Sequence, residues 1–303
     1  GILHPGLLGK ADDPIAFHVP MSTGLEWVSD DDSGRLLAVL CEDGIPNNFW
    51  RNYYNIGGGD SYRMSNYEFM KATLDAVGCP PPEKVFELNW FATGNFHGMY
   101  YQDSDTLDKY LHFLSGETFS DYMARLKKGL PFYFRLAPLA PAPIIKMAMG
   151  KVADKEILGT RRWIRERNMP RIEAAYGSLE AYSAIPDWSG FRLPPLKEPG
   201  HKLDHGYDES KPLSALTYGE LRKAALFRGG KLLNESKDEN RIGDADKALE
   251  WQCSEGHRFR LTPRTVLRGG HWCPECLLQM EDDPKAAKQL ARKNRFLSQV
   301  VQD

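Results

Sequence analysis

"YYNIGGGDSY", residues 53 to 62, sets three glycines between a short apolar run and a helix-like pattern. The reading of this loop decides whether the chain itself holds the pyrophosphate of a dinucleotide. The dinucleotide fingerprint needs G-x-G-x-x-G between a strand and a helix, with an acidic residue about 20 positions on. Gly57 and Gly59 meet the first two positions, but Tyr62 stands at the third. That third glycine lets helix and strand pack closely, so a tyrosine there breaks the motif. No strong apolar βαβ unit surrounds the loop. The glycines therefore read as a turn between a late strand and a helix, not as a cofactor cradle.

Working outward, Ser65 and Glu68 form an S-x-x-E capping box that predicts a helix from about Asn66 to Val77. Gly78 and "CPPPEK" end it. Upstream, "LEWVSDDDSGRLLAVLCE" (25–42) reads as a strand end, an acidic turn and a helix with Leu36, Leu37, Val39 and Leu40 on its apolar face. Downstream come a strand-like stretch near Val85, a helix from Asp103 or Ser104, and another from about Thr118. Four prolines in 131–145 mark a boundary or surface crossing. A helical pattern runs from Ile144 to Tyr182, and 186–212 reads as an extended linker. Thr217 and Glu220 cap a further helix that stops at Gly229-Gly230. The fold class is mixed α/β.

At 303 residues the chain has room for more than one domain. Hydrophobic content of 42% and charged content of 26% are those of an ordinary soluble globular protein. A net charge of −2 argues against a general polyanion binder. No apolar run approaches the roughly 20 residues needed to span a bilayer, so no membrane partner is expected. The opening "GILHPGLLGK" lacks signal-peptide character, and "ILHPG" resembles the middle of a domain. Cys41 and Cys79 stand alone and three cysteines crowd one segment, a distribution that predicts a reducing, cytoplasmic setting.

That segment is "WQCSEGHRFRLTPRTVLRGGHWCPEC" (251–276). Three residues separate Cys253 from His257, two separate Cys273 from Cys276, and fifteen lie between the pairs. A C-x2-C knuckle presents two thiolates to one ion, and a nearby Cys and His complete a tetrahedral S and N set that suits Zn2+. His271 competes with His257 for the fourth position; Gly256 favours His257 by permitting a tight turn. Four protein ligands leave no open position, so the site is expected to be structural. The segment resembles a treble-clef or zinc-ribbon module, carried by Gly229-Gly230-Lys231, Trp251, Cys253, Gly256-His257, Phe259, Gly270 and Trp272-Cys273-Pro274-x-Cys276. The resemblance covers roughly 216–280 and implies a possible nucleic-acid partner, with Arg258, Arg260, Arg264 and Arg268 as phosphate-facing candidates.

The N-terminal part resembles the C-terminal half of extended short-chain dehydrogenases/reductases, the NAD-dependent epimerase/dehydratase family. Three stretches carry the resemblance in the family's order: "LEWVSDDDSGRLLAVL", "YYNIGGGDSYRMSNYEFMKATLDAVG" and "YYQDSDTLDKYLHFLSGETFSDYMARL". It implies a substrate-binding lobe over 1–135, inactive alone, whose NAD(P)-binding half with the catalytic Tyr-x-x-x-Lys is expected upstream. The two Y-x-x-x-K spacings present, Tyr67/Lys71 and Tyr207/Lys211, sit at the wrong places for that role. Arginines that hold diphosphate in the family are replaced by Thr23 and by Ala92 or Thr93, which favours a neutral or singly charged substrate. Trp27, Asn95, His97 and Tyr100 are the candidate substrate-binding residues. The expected organisation is this lobe, a helical and Pro-rich extension (136–215), the zinc module (216–280) and a C-terminal helix (281–303). The competing expectation is a non-enzymatic zinc-containing protein that recognises a nucleic acid or a protein.

Overall fold

Ser29, Ser65, Thr118 and Thr217 each accept a backbone N–H from the residue three positions on and so start a helix. The last three add reciprocal bonds from Glu68, Asp121 and Glu220. The computed structural model describes residues 1–6, 13–95, 98–131, 139–196, 203–234 and 241–301. Among these, fourteen α-helices and seven short strands make a mixed helix and sheet fold. The chain divides into two units, residues 1–50 with 54–198, and residues 51–53 with 199–303.

In the first unit, β1 (Ile2–Leu3) runs parallel to β3 (Val28–Ser29), and β2 (Gly24–Glu26) runs antiparallel to β4 (Arg63–Ser65). Helix α1 (Asp30–Val39) follows β3 directly. The three aspartates read as a turn are instead its first turn, where the exposed N–H groups and helix dipole favour negative charge. Helix α2 is Asn66–Ala76. The stretch near Val85 is not a strand: Pro82 starts the short helix α3 (Pro82–Val85) because its fixed φ suits a first turn. Then come α4 (Asp105–Leu111) and α5 (Phe119–Gly129). The helical pattern from Ile144 resolves into α6 (Ala142–Val152), α7 (Thr160–Arg165), α8 (Met169–Tyr176) and α9 (Leu179–Ser183). Phe17, Phe86, Trp90 and Phe91 form an aromatic cluster with Val85, Val152 and Ala153, which ties α3 to α6.

The glycine loop lies against the strands. Gly58 donates to the Trp27 carbonyl at 2.7 Å, and a Cβ on it would meet that oxygen at 2.6 Å. Gly59 takes φ +81°, a conformation that favours glycine. The loop packs over Glu26, which is 5% exposed and accepts from Ser104 Oγ (2.6 Å), Tyr101 N (3.0 Å) and Arg63 Nε (3.2 Å). A carboxylate so buried is tolerable only with its oxygens satisfied in this way.

The second unit begins with α10 (Tyr218–Phe227) and continues as an antiparallel sheet of β5 (Lys231–Leu232), β6 (Leu249–Gln252) and β7 (Arg258–Leu261). Helices α11 (Pro263–Leu267), α12 (Pro274–Asp282), α13 (Pro284–Ala291) and α14 (Arg295–Ser298) follow. Trp251, Leu216, Leu221 and Val266 are fully buried at the centre of its core. No helix among the described residues is long and apolar enough to cross a membrane.

Candidate metal centre

Two local devices bring the sulfur and nitrogen ligands together. Between β6 and β7, Cys253 N donates to the His257 carbonyl and Gly256 N to the Cys253 carbonyl, both at 3.1 Å. Gly256 closes that turn at φ +89°. On the other side, Cys273 is the N-cap of α12, Pro274 starts the helix, and Cys276 lies within its first turn. Trp272 packs edge-on against Trp251 and Phe259, so the sheet core fixes the segment that delivers Cys273. Gly230 allows this closeness: a Cβ there would stand 2.2 Å from the Gln252 carbonyl and 2.6 Å from the Trp272 ring.

The ligand atoms of Cys253, His257, Cys273 and Cys276 all lie within 4.8 Å of one another. Cys253 Sγ and Cys276 Sγ are 3.7 Å apart, and His257 Nδ1 is 3.5 Å from both Cys273 Sγ and Cys276 Sγ. A tetrahedron with bonds of about 2.3 Å to sulfur and 2.0–2.1 Å to nitrogen has edges of about 3.8 Å and 3.6 Å. The donor set and its spacing fit a four-coordinate metal ion. Burial pushes the Cys273 and Cys276 thiols above their usual range. A divalent cation offsets that penalty by binding the thiolates. His271, the other histidine weighed for the fourth position, is exposed and outside the cluster.

Two neighbours had no motif to announce them. Glu275, inside the C-P-E-C knuckle, puts a carboxylate 3.6 Å from His257 Nε2, the ring nitrogen that faces away from the sulfurs. Arg228 is fully buried and donates to the carbonyls of His205 (2.7 Å) and Ala224 (3.1 Å), with the Phe296 ring 4.9 Å away. Burial lowers its guanidinium to about 10. An arginine just before a Gly-Gly pair was the only sequence signal.

The four candidate phosphate-facing arginines separate. Arg264 binds Asp246 at 2.7 Å, and Arg268 donates to the Glu209 carbonyl at 3.3 Å, so both serve the module's own loops. Arg258 and Arg260 project from the exposed face of β7.

The candidate substrate residues have the following surroundings. Trp27 stacks on Phe69 (4.6 Å between centroids) beside the core. Asn95 closes a local turn, accepting from Gly98 N at 2.9 Å and donating to its carbonyl at 2.7 Å. Tyr100 lies 5.8 Å from the Arg63 guanidinium. His97 falls outside the described residues. Neither Y-x-x-x-K spacing forms a pair: Tyr67 bonds Glu83 and Lys71 bonds Asp75, while Lys211 bonds Glu220. Compared with known proteins, the chain matches no family model, no curated sequence and no solved structure at a significant level.

Proposed function

We propose that Cys253, His257, Cys273 and Cys276 hold one structural Zn2+ ion, and that residues 1–135 are the substrate-side lobe of an NAD(P)-dependent epimerase, dehydratase or reductase. The near-tetrahedral spacing of three sulfurs and one nitrogen carries the zinc assignment. All four positions are protein ligands, so the ion braces the module and is not a Lewis acid for a substrate. Its binding energy helps to fold a small domain.

The lobe assignment rests on the three sequence stretches in family order, and the parallel pairing of β1 with β3 supports it. Parallel ladders belong to sheets with crossover connections and several strands. Two residues on each side fall short of an independent sheet. When bound to an upstream half, NAD(P) supplies hydride transfer; the lobe's part is to orient the substrate. The chain by itself is inactive in this reading.

Cofactor binding tests it. Nicotinamide fluorescence should show no binding to this chain and clear binding once an upstream Rossmann segment is joined in frame. A joined protein that binds neither NADH nor NADPH sinks the enzymatic reading. The second reading is a zinc-containing binding protein, favoured by the outward-facing Arg258 and Arg260. It requires an affinity for nucleic acid that falls with salt.

A further inference from the structure

Helix α6 is apolar on both sides. Ile145, Met149 and Val152 face the aromatic cluster, yet Ile144, Met147 and Ala148 are exposed on the opposite stripe, with Met147 at 60%. A helix apolar all round is normally covered, so this stripe lacks a neighbour that the described residues do not supply. The stripe continues to Lys151 (spacings of 3 and 4), one residue before the helix ends and the next loop begins.

That loop presents Ile157 at 67% exposure and φ +70°, a conformation a β-branched residue adopts only under strain. It is fixed there. The Ile157 carbonyl accepts from Trp163 Nε1 at 2.8 Å and from Arg171, and the Leu158 carbonyl bonds His18 Nε2 at 2.8 Å. These bonds hold an isoleucine and a leucine out into water. Arg167, also at a strained φ of +53°, and Met169 are exposed nearby in sequence.

The charge around these residues is one-sided. Residues 142–171 hold eight Lys and Arg against three Asp and Glu, in a chain of net charge −2. Lys151 and Arg167 have no carboxylate partner among the described residues. Protruding apolar side chains beside long basic ones suit the headgroup region of a bilayer. Apolar tips enter the acyl boundary there, and cationic heads stay with the phosphates.

We propose that the exposed residues Ile144, Met147, Lys151, Ile157 and Arg167 act together to dock on an anionic lipid surface. The absence of a spanning segment concerns crossing a bilayer and does not bear on lying against one.

The test is co-sedimentation of the intact protein with phosphatidylcholine vesicles and with vesicles containing about one third phosphatidylglycerol. Binding should be at least about tenfold stronger to the anionic vesicles and should fall as salt rises. Ile157→Gly relieves the strained φ, so its melting temperature should hold or rise while vesicle binding drops about threefold or more. Lys151→Glu with Arg167→Glu, both at exposed positions, should abolish the anionic preference. Lack of binding, equal binding to both vesicles, or unchanged binding by Ile157→Gly overturns the proposal. Soluble polyglutamate that captures the protein as tightly as the vesicles do also overturns it, in favour of an acidic protein partner.

Discussion

Oε1 of Glu26 stands 2.0 Å from where a Cβ on Gly57 would lie. The glycine is there because a buried carboxylate needs the space, not because a phosphate approaches. Gly57→Ala must displace Glu26 from Ser104 and Arg63. It should destabilise the first unit by about 3 kcal/mol in urea unfolding, without changing metal content. A loss below about 1 kcal/mol shows that the loop yields easily and the packing account is wrong.

Metal analysis should find about one zinc per chain. Cys276→Ser should lower zinc affinity by more than about 100-fold and collapse the dispersed amide resonances of residues 249–276, leaving those of the first unit in place. Full metal retention by that variant rules out the ligand set.

Glu220 accepts from Lys211 at 2.6 Å and from the Thr217 backbone N–H at 2.8 Å, and these bonds hold its carboxyl below the ordinary value of 4.5. A lowered acid contributes stability above its unfolded pKa and loses it as pH falls through the folded one. Glu220→Ala should therefore cost about 1 kcal/mol at pH 7 through the broken capping box. The gap to the parent protein should close as pH drops below 4.5. A gap that persists in strong acid contradicts the assignment to the carboxylate.

Tyr67 and Lys71 serve α2 and its neighbour. Tyr67→Phe should cost about 1 kcal/mol through the lost bond to Glu83, and Lys71→Ala should leave stability almost unchanged because both it and its partner Asp75 are exposed. If a joined upstream half restores turnover, kcat should change less than about twofold in either variant. A drop of two orders of magnitude would return this pair to the active site.

The capping boxes at Ser65 and Thr217 were legible because a cap is local: two side chains three residues apart serve the backbone between them. The C-x3-H and C-x2-C spacings were legible for a similar reason, since each pair sits in one tight turn. The stretch at Val85 misled because it ends on apolar residues, whereas Pro82 had already set a helical first turn. Arg228 and Glu26 left no pattern, because apart from Ala224 the partners of their side chains lie 23 to 78 residues away.

The sequence by itself determined where helices start, which four residues are chemically suited to one metal ion, and that the glycine loop breaks the cofactor motif. Tertiary structure placed His257, already favoured over His271 by Gly256, against the sulfurs, and it alone decided that Gly57 yields its space to Glu26 and that Ile157 is held outward in a strained conformation. The difference is physical. Caps and knuckles depend on a few covalently adjacent torsions, whereas burial, close approach and exposure depend on which distant segments fold against them.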